Sequence, residues 1–430
     1  MNRIGIDIGT TSISIVKIDE DGNVLSTVVK KNNSGVRSAY PHDMQDPEII
    51  VSTVRSALEE LTAGDNEIAS IGICGQMHGI LYTYNGKAVS NLYTWRDSSG
   101  KKVYRGGMPY GEYICFCTGY KVFSGYGICT HFYLKDKGLL PRKFDKIYTI
   151  GDYVAMSLTG EKSVVQHVTM AASLGLFDLS SDDFDEDALA MLEIDRNLLP
   201  EVSSDIVTVG KINNDIPVTV AIGDSQSAFY GAGAGDTEMV LNMGTGGQIS
   251  CIMRNAIEVD GNTELRPYIN SNLLYTASSL CGGAAYASLN DFFRLTLAAF
   301  GVEKTTAEIY SVMEEFATQE APLPQVDTAF LGTRKDPAKK GAIYNLYSGT
   351  FTPEKITQAF IEGIATELYP YYEHFLNVGP FDGILLTGTL ARKCPIFTKV
   401  AQSKYPLPIR ISPVNEEAAV GAALSSSLVK

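Results

Sequence analysis

A short glycine–threonine hairpin near the start of the chain returns in its second half, and this repeat limits the folds that the sequence can adopt. The first copy is "GIDIGTTSISIV" at residues 5–16, where two apolar runs flank a Gly-Thr-Thr turn. The second copy is "VLNMGTGGQISCI" at residues 240–252, which sets Asn242 against Asp7 and a second Gly-Thr pair against the first. A repeated hairpin predicts two domains built on one plan.

The residues around the first hairpin predict a strand meander followed by a helix and another strand. Residues 3–30 read as three strands joined by tight turns. Asp46 is a good helix cap, Pro47 suits the first helical position, and Gly64 ends the apolar periodicity that follows. The next stretch, "SIGICGQMHGI" at residues 70–80, reads as a buried strand that enters a glycine-rich loop.

The second half repeats this order, with a helix expected from about Pro353 to Phe375 and a strand "GILLTGTL" at residues 383–390. The repeat predicts an α/β fold of two duplicated domains, 1–221 and 222–430, with a cleft between them. Chance similarity between two short Gly-Thr hairpins is the alternative. The Gly-, Tyr- and Lys-rich stretch from 98 to 140 is expected to be an insertion or lid.

Composition and charge exclude several classes of partner. The net charge of −14 argues against nucleic acid, because phosphate contacts need clustered Lys and Arg. No stretch approaches about eighteen uninterrupted apolar residues, and no basic segment followed by an apolar run opens the sequence. We therefore expect a cytoplasmic protein with no nucleic-acid and no membrane partner.

Seven cysteines, an odd number, are scattered through the chain, which fits reduced thiols better than a disulfide framework. A metal site at Cys115, Cys117 and Cys129 is disfavoured, because their spacing lacks the two-residue gap typical of zinc ligands and no histidine pair lies nearby.

The two turns can each offer backbone N–H groups and a hydroxyl to an anion, so together they could bind a polyphosphate. The glycines are Gly9 and Gly244, each followed by threonine. Neither a P-loop pattern nor a dinucleotide-type glycine turn is present. Asp7, two residues before the first turn, is then expected to hold Mg²⁺ near the phosphates, partly through water.

An acidic residue, Asp224, follows an apolar strand end in "AIGDSQSAFYGAGAG" at residues 221–235. As an isolated feature it would be read as a helix cap that accepts free N–H groups. Its place just before the second Gly-Thr hairpin favours another interpretation: Asp224 is a general base for a hydroxyl that attacks phosphorus.

Two glycine-bounded loops, "GQMHG" and "TWRDSSG", carry groups that can bind a polyol. The ring of the only tryptophan, Trp95, suits the C–H face of a sugar, while Gln76, His78, Arg96 and Asp97 can hydrogen-bond its hydroxyls. The alternatives are a loop histidine satisfied by its neighbours and a tryptophan that belongs to the core.

Taken together, these motifs resemble those of the FGGY carbohydrate kinases from end to end. The segments that carry the resemblance are "GIDIGTTS", "GQMHG", "TWRD", "GDSQSAFYGAG", "NMGTGGQ", "FLGTRKDPAKKG", "LTGTLARKCPIF" and "NEEAAVGAAL". Within the family the chain is most similar to the branch that phosphorylates sedoheptulose, with the xylulose branch next. The fold that the resemblance implies is a pair of actin-like, ribonuclease-H-like domains.

The resemblance also implies roles for single residues. Asp224 would be the catalytic base and Asp7 the metal ligand. The ATP-binding residues would be Gly9, Thr10, Thr11, Gly244, Thr245, Gly246, Gly388, Thr389 and Asn415, and the sugar-binding residues would be Gln76, Met77, His78, Trp95, Arg96, Asp97, Asp224 and Gln226. The N-terminal domain would bind sugar, and the C-terminal domain would bind nucleotide.

The implied reaction is an ATP- and Mg²⁺-dependent phosphorylation of the terminal hydroxyl of a ketose, with sedoheptulose preferred and a ketopentose such as xylulose as the alternative. A non-catalytic, actin-like sensor of sugar or nucleotide is the alternative of another class, and a homodimer is left open. The sequence departs from the family pattern at Ser98 and Ser99, where Gly-Arg is usual, and the chain is short for the family.

Overall fold

The computed structural model describes residues 1–63, 67–213, 215–254, 263–316, 322–333, 336 and 338–429, and its chain forms two compact units. The first unit contains Met1–Ala232, Pro267–Asn272 and Val414–Lys430, and the second contains Gly233–Arg266 and Leu273–Pro413. In the part of the chain that is described, no helix is both long and apolar enough to cross a membrane.

The first unit is built on a six-stranded sheet in the order β15-β16-β6-β1-β2-β3. Its strands are β1 (Asn2–Ile8), β2 (Ser12–Ile18), β3 (Val24–Lys31), β4 (Gly35–Val36), β5 (Met44–Gln45), β6 (Ile68–Gly75), β7 (Leu81–Tyr84), β8 (Lys87–Ala88), β9 (Leu92–Tyr93), β10 (Lys146–Tyr148), β11 (Gln166–His167), β12 (Phe177–Asp178), β13 (Asp183–Phe184), β14 (Val202–Ser203), β15 (Thr208–Ile212) and β16 (Ile216–Gly223). Its helices are α1 (Pro47–Thr62), α2 (Tyr110–Thr118), α3 (Gly127–Asp136), α4 (Ile150–Thr159), α5 (Val168–Ala171), α6 (Glu186–Met191) and α7 (Asp224–Gly231).

The second unit is built on a six-stranded sheet in the order β19-β20-β18-β17-β23-β24. Its strands are β17 (Glu238–Met243), β18 (Gly247–Met253), β19 (Thr263–Pro267), β20 (Leu273–Ser279), β21 (Gln325–Asp327), β22 (Ala342–Tyr344), β23 (Gly383–Thr387) and β24 (Ile409–Ile411). Its helices are α8 (Gly282–Ala299), α9 (Thr306–Phe316), α10 (Pro353–Glu367), α11 (Tyr369–Leu376), α12 (Thr389–Lys393) and α13 (Pro395–Lys404). A further helix, α14 (Glu417–Ser425), follows and belongs to the first unit.

The two sheets share a five-strand plan. In each, an antiparallel meander (β1-β2-β3 or β17-β18-β20) is extended on the other side of its first strand by two parallel strands (β6 and β16, or β23 and β24). The registers agree as well: Asp7 in β1 pairs with Cys74 in the parallel strand β6, and Asn242 in β17 pairs with Thr387 in the parallel strand β23. The repeated hairpin is therefore a repeat of topology and not chance similarity.

The local predictions hold in the first half and need two corrections in the second. Asp46 caps α1 by accepting hydrogen bonds from the backbone N–H groups of Glu48 and Ile49, while Gly64 lies outside the described residues. The helix expected over 353–375 is divided at Leu368, because Pro370 cannot supply the N–H that a continuous helix needs. The strand expected over 383–390 ends at Thr387, since Gly388 caps a new helix.

Two helices of the stretch from 98 to 140, α2 and α3, pack within the first unit, and whether the stretch is an insertion or a lid stays a prediction. Its helices α2 and α3 contribute aromatic side chains to a separate core, in which the rings of Tyr104, Tyr110 and Phe132 lie within 6 Å of one another. Every described residue of α3 from Gly127 to Leu134 is buried. Burial of this extent fixes α3 to the rest of the unit.

Helix α14 approaches the first sheet and α7 more closely than side chains would allow. A Cβ added to Gly5 in β1 would lie 1.8 Å from the carbonyl oxygen of Ala419, and one added to Gly72 in β6 would lie 1.8 Å from that of Ala422. The same is true against α7, where a Cβ on Gly421 would lie 1.9 Å from the Ser227 carbonyl oxygen. Glycine is therefore required at these contacts for lack of space, without any need for a special φ angle.

This packing explains why the compact units differ from the boundary expected between 221 and 222. Strand β16 ends at Gly223 and α7 starts at once at Asp224, so both belong to one strand–helix unit. Helix α7 packs against α14, which in turn packs against β1 and β6. The first unit thus extends to Ala232 and takes in α14 from the far end of the chain.

We predict that Gly72→Ala lowers the free energy of unfolding by at least about 3 kcal/mol, because the new methyl group would collide with backbone that cannot move aside cheaply. Urea unfolding followed by circular dichroism measures the change. The matched control is Gly35→Ala, where a Cβ would meet nothing within 4 Å. Equal stability of the two variants would contradict the packing described for α14.

Candidate active site

Three acidic side chains come together at one end of the first sheet. Asp7 lies near the end of β1, Asp224 directly follows β16, and Glu416 directly precedes α14. Burial raises the pKa of Asp7 to about 7, and the negative charges of Asp224 and Glu416 act in the same direction. The Cys74 thiol, 3.6 Å from Asp7 Oδ1, opposes this rise. We call Asp7, Asp224 and Glu416 the acidic cluster.

Asp224 is the first residue of α7 and not its cap. The cap position belongs to Gly223, and Asp224 Oδ1 accepts a hydrogen bond of 2.7 Å from the backbone N–H of Ser225. The cap interpretation of the sequence is therefore wrong in position, although a carboxylate in the first helical turn still interacts favourably with the helix dipole. The N–H of Ser225 fixes one carboxylate oxygen.

The acidic cluster suits a hard divalent cation. Burial is the main cause of the raised pKa of Asp7, and the neighbouring charges of Asp224 and Glu416 add to it; a bound cation would stabilise the charged form of the carboxylate. Mg²⁺ prefers carboxylate oxygens together with retained water or phosphate oxygens. Within the described ranges, no set of three or more His, Cys, Asp or Glu side chains is arranged to hold a metal on its own. The role of Asp7 as a Mg²⁺ ligand stays a prediction.

The first turn, Gly9–Thr11, is held by hydrogen bonds to each of its carbonyl oxygens. Asn32 Nδ2 donates to the carbonyl of Gly9 at 2.9 Å, Gln45 Nε2 donates to that of Thr10 at 2.8 Å, and the backbone N–H of Asn32 donates to that of Thr11 at 2.9 Å. A Cβ on Gly9 would lie 2.7 Å from the Ser12 carbonyl oxygen. The shape of this turn is thus set by the protein itself.

Trp95 contacts the first turn and is not a core residue. Its side chain is 46% exposed, and its indole N–H donates a 2.9 Å hydrogen bond to Thr10 Oγ1. The exposed Arg96 guanidinium lies over the indole ring at 5.2 Å from the centroid. The sequence placed Trp95 and Thr10 in different sites, so the structure adds a direct link between the two.

The glycine-bounded loop after β6 combines buried and accessible groups. Gln76 is 2% exposed and Met77 is 5% exposed, whereas His78 is half-buried. His78 adopts a φ of 71°, and its backbone N–H donates to Ser173 Oγ at 3.0 Å. Its Nδ1 lies 2.7 Å from the Ser173 carbonyl oxygen, which can only accept, so Nδ1 carries the proton. The ring stacks on Tyr126 with 4.3 Å between centroids.

Asp97 and Gln226 are engaged within the protein. Asp97 is 2% exposed; one carboxylate oxygen lies 2.8 Å from His42 Nδ1, and the other accepts the N–H of Ser99 at 2.8 Å. Gln226 is fully buried, and its Nε2 donates to the carbonyl of Pro267 at 3.2 Å. Asp97 therefore shapes the loop predicted to contact sugar, whereas Gln226 links α7 to the segment at Pro267. The departure at Ser99 from the family pattern falls in the turn that Asp97 holds.

In the second unit, the turn Gly244–Gly246 is held by the start of α8. The N–H groups of Gly283 and Ala284 donate to the carbonyls of Gly244 and Thr245, both at 2.9 Å. Gly388 is close to this turn: its φ is 92°, and a Cβ there would lie 2.5 Å from the Met243 carbonyl oxygen. Gly388 is therefore required both by conformation and by space.

The remaining predicted nucleotide residues divide between the units. Thr389 follows Gly388 and begins α12 in the second unit, whereas Asn415 belongs to the first unit, next to Glu416. Contact of these residues with one nucleotide stays a prediction. Sequence reasoning missed Glu416, Gln45 and His42. Glu416 stands in the quoted "NEEAAVGAAL" segment, but the other two carry no motif that the residues alone reveal.

We predict that Gly244→Ala weakens nucleotide binding without strain in the protein. The φ of Gly244 is not positive, and a Cβ would lie no closer than 3.9 Å to its surroundings, so the turn does not need glycine for its own sake. If phosphate approaches the backbone here, the methyl group should raise the dissociation constant of MgADP about tenfold, the worth of roughly one lost hydrogen bond.

Isothermal titration calorimetry measures this effect. The control is Gly235→Ala in the same unit, where a Cβ makes only an ordinary contact of 3.5 Å with Glu238. Unchanged MgADP affinity in Gly244→Ala would remove this turn from nucleotide binding.

The chain is similar to a group of sugar kinases of known sequence. A family model described as "FGGY family of carbohydrate kinases, N-terminal domain" matches residues 3–241. The sedoheptulokinase of Homo sapiens is 26% identical over 98% of this chain and 96% of its own length. The xylulose kinase of Lactococcus lactis is 24% identical over 72% of this chain and 64% of its own length.

Solved structures show the same architecture. The crystal structure of gluconate kinase from Lactobacillus acidophilus superposes with a TM-score of 0.84 at 23% identity, covering 99% of this chain and 88% of that chain. A xylulose kinase from Rhodospirillum rubrum gives a TM-score of 0.85 at 17% identity, covering 99% of this chain and 89% of that chain. The predicted class, α/β with two duplicated actin-like, ribonuclease-H-like domains, is confirmed.

Proposed function

The chain belongs to the FGGY family of carbohydrate kinases, and from this premise we propose that it transfers the γ-phosphate of ATP to the terminal hydroxyl of a ketose, with sedoheptulose as the preferred acceptor. The observation that carries the proposal is the acidic cluster at the end of the first sheet. It combines a carboxylate fixed by a backbone N–H, Asp224, with a second carboxylate, Asp7, two residues before the Gly9–Thr11 turn.

In this proposal Asp224 is the general base. A sugar hydroxyl is a weak nucleophile that loses its proton as it attacks phosphorus, and a carboxylate within hydrogen-bond reach orients the hydroxyl and accepts that proton. The hydrogen bond from the N–H of Ser225 to Oδ1 holds the carboxylate in one orientation. Mg²⁺, when bound, would neutralise phosphate charge, and Asp7 would hold it.

The groups expected around the sugar are Met77, His78, Trp95 and Arg96. The exposed Trp95 ring suits the C–H face of a sugar, and the His78 ring is oriented by Ser173, so that Nε2 of the neutral ring is an acceptor for a hydroxyl proton. Asp97 would act by holding its loop, because it is buried and bonded to His42 and Ser99, and the buried Gln226 would act from α7, where it is bonded to the Pro267 carbonyl.

The choice of acceptor rests on similarity. The sedoheptulokinases of Homo sapiens and Mus musculus each match over 98% of this chain, whereas the glycerol kinase of Aquifex aeolicus matches over 56% and the xylulose kinase of Lactococcus lactis over 72%. Full-length similarity favours the ketoheptose. A ketopentose is the second candidate acceptor.

We predict ADP release from MgATP only when a suitable sugar is present. The assay compares ketoheptoses, ketopentoses, ketohexoses and glycerol with a sugar-free control, and the product of the best acceptor is identified by mass and phosphate position. Sedoheptulose should give the highest kcat/KM. A higher value for xylulose would replace the acceptor but keep the reaction, whereas no stimulation by any acceptor would favour a sensor of sugar or nucleotide over an enzyme.

We predict that Asp224→Asn lowers kcat by roughly 10²- to 10⁴-fold, because an amide can still orient the hydroxyl but cannot accept its proton. The dissociation constants of MgADP and sugar, and the unfolding midpoint, should be unchanged. Asp215→Asn, which removes an exposed charge before β16, is the matched control. Near-normal kcat in Asp224→Asn would mean that Asp224 only stabilises the first turn of α7 and takes no part in catalysis.

A further inference from the structure

A closed ring of hydrogen bonds joins the first turn, Gly9–Thr11, which we call the phosphate turn, to the two loops predicted to bind sugar, residues 75–79 and 94–100. Thr10 Oγ1 lies 3.5 Å from Gln76 Oε1, Gln76 Nε2 donates to Gln45 Oε1 at 2.8 Å, and Gln45 Nε2 donates to the Thr10 carbonyl oxygen at 2.8 Å. The Trp95 indole N–H then donates to Thr10 Oγ1 from outside the ring. The ring consists of Thr10, Gln45 and Gln76, and Trp95 is attached to it.

The direction of every hydrogen bond in the ring is determined. A backbone carbonyl can only accept, so Gln45 presents its NH₂ group to Thr10 and its Oε1 to Gln76. Gln76 must then donate to Gln45 and turn its Oε1 toward the Thr10 hydroxyl, which gives up its proton there. One of the two lone pairs on that hydroxyl accepts the indole N–H of Trp95, which can only donate. One orientation of each amide satisfies all four contacts.

The ring is buried at one end and open at the other. Gln45 is 5% exposed and Gln76 is 2% exposed, whereas Trp95 is 46% exposed. Gln45 precedes Asp46, the cap of α1, and the backbone N–H of Gln76 donates to the carbonyl of Ile8 at 3.0 Å. Both amides are thus anchored on regular elements, so the ring transfers their fixed positions to Thr10.

The Thr10 hydroxyl is consequently committed within the protein. Its only proton goes to Gln76 and one of its lone pairs accepts from Trp95, so the hydroxyl has no further proton to donate, although the sequence suggested that it would bind phosphate directly. What the ring controls is the position of the turn backbone, because Gln45 also holds the Thr10 carbonyl. Trp95 of the predicted sugar loop and the buried amide of Gln45 therefore both hydrogen-bond to Thr10.

We propose that Gln45 is a positioning residue for the phosphate turn and that Trp95, through Thr10, couples sugar occupancy to nucleotide affinity. The proposal rests on the proposed function for the identity of the two ligands. Sugar against the exposed face of Trp95 restrains the indole, which stabilises its hydrogen bond to Thr10 and the turn with it. Coupling of this kind is reciprocal: each ligand raises the affinity of the other by the same factor.

The first test compares two replacements of Gln45. Gln45→Glu keeps the shape but sets a carboxylate oxygen against the Thr10 carbonyl oxygen, and Gln45→Met keeps the length but removes both hydrogen bonds. We expect the dissociation constant of MgADP to rise about tenfold in each, while the affinity for sugar alone is unchanged. Gln402→Glu, at an exposed position of α13, is the charge-matched control. Unchanged MgADP affinity, or equal loss of both ligands, overturns the role of Gln45.

The second test addresses the link through Trp95. In the parent protein, saturating sugar should lower the dissociation constant of MgADP about fivefold or more. Trp95→Phe keeps an aromatic ring but loses the N–H, so saturating sugar should no longer change the dissociation constant of MgADP in this variant, even if a higher sugar concentration is needed for saturation. Because the indole is exposed, this variant stays informative if the Gln45 variants do not fold. A ratio retained in Trp95→Phe overturns the coupling.

The third test does not depend on catalysis. Trp95 is the only tryptophan, so the emission of the ligand-free protein reports its hydrogen bond. Thr10→Val should shift the emission maximum, and Thr10→Ser, which restores a hydroxyl, should return it to that of the parent. If no acceptor is phosphorylated, the proposed function fails, but the emission maximum and the affinity for MgADP still test whether the hydrogen-bonded ring positions the turn. If phosphorylation occurs but Thr10→Val leaves the emission unchanged, the ring is overturned and the function stands.

Discussion

The close approach of α14 to the first sheet is the interaction on which the arrangement of the site depends. Backbone meets backbone there, and glycines at positions 5, 72 and 421 supply the missing volume. Because the helix lies this close, its start delivers Glu416 to Asp7 at the end of β1. The same helix supports α7, whose first residue is Asp224. One packing contact thus sets the spacing of all three acidic side chains.

Electrostatics at this sheet end are unfavourable without a ligand and favour one that brings positive charge. Burial raises the pKa of Asp7, and repulsion from the neighbouring carboxylates of Asp224 and Glu416 raises it further. The protein retains this repulsion at the place where phosphate and a cation are proposed to bind. Rigid backbone holds the groups in position, and favourable packing elsewhere in the unit offsets the free-energy cost of this repulsion.

The sequence predicts much of the fold because its strongest signals are local. The Gly-Thr hairpins, the Asp46 cap and the strand before Gln76 each depend on residues within a few positions, and the structure has them where they were expected. What could not be read is which distant segments meet. Gln45 and Thr10 are 35 residues apart and Glu416 is separated from Asp7 by nearly the whole chain, so only tertiary packing brings each pair together. Pro370 was a local signal for a break within the helix predicted over 353–375 that went unused.

The composition of the first unit from both ends of the chain has a consequence for its synthesis. Residues 414–429 complete the sheet surface and supply Glu416, yet the ribosome makes them only after every residue of the second unit. During translation α14 therefore cannot cover the glycines of β1 and β6 until the whole second unit has been made. Synthesis of the first unit therefore begins before that of the second and is completed after it.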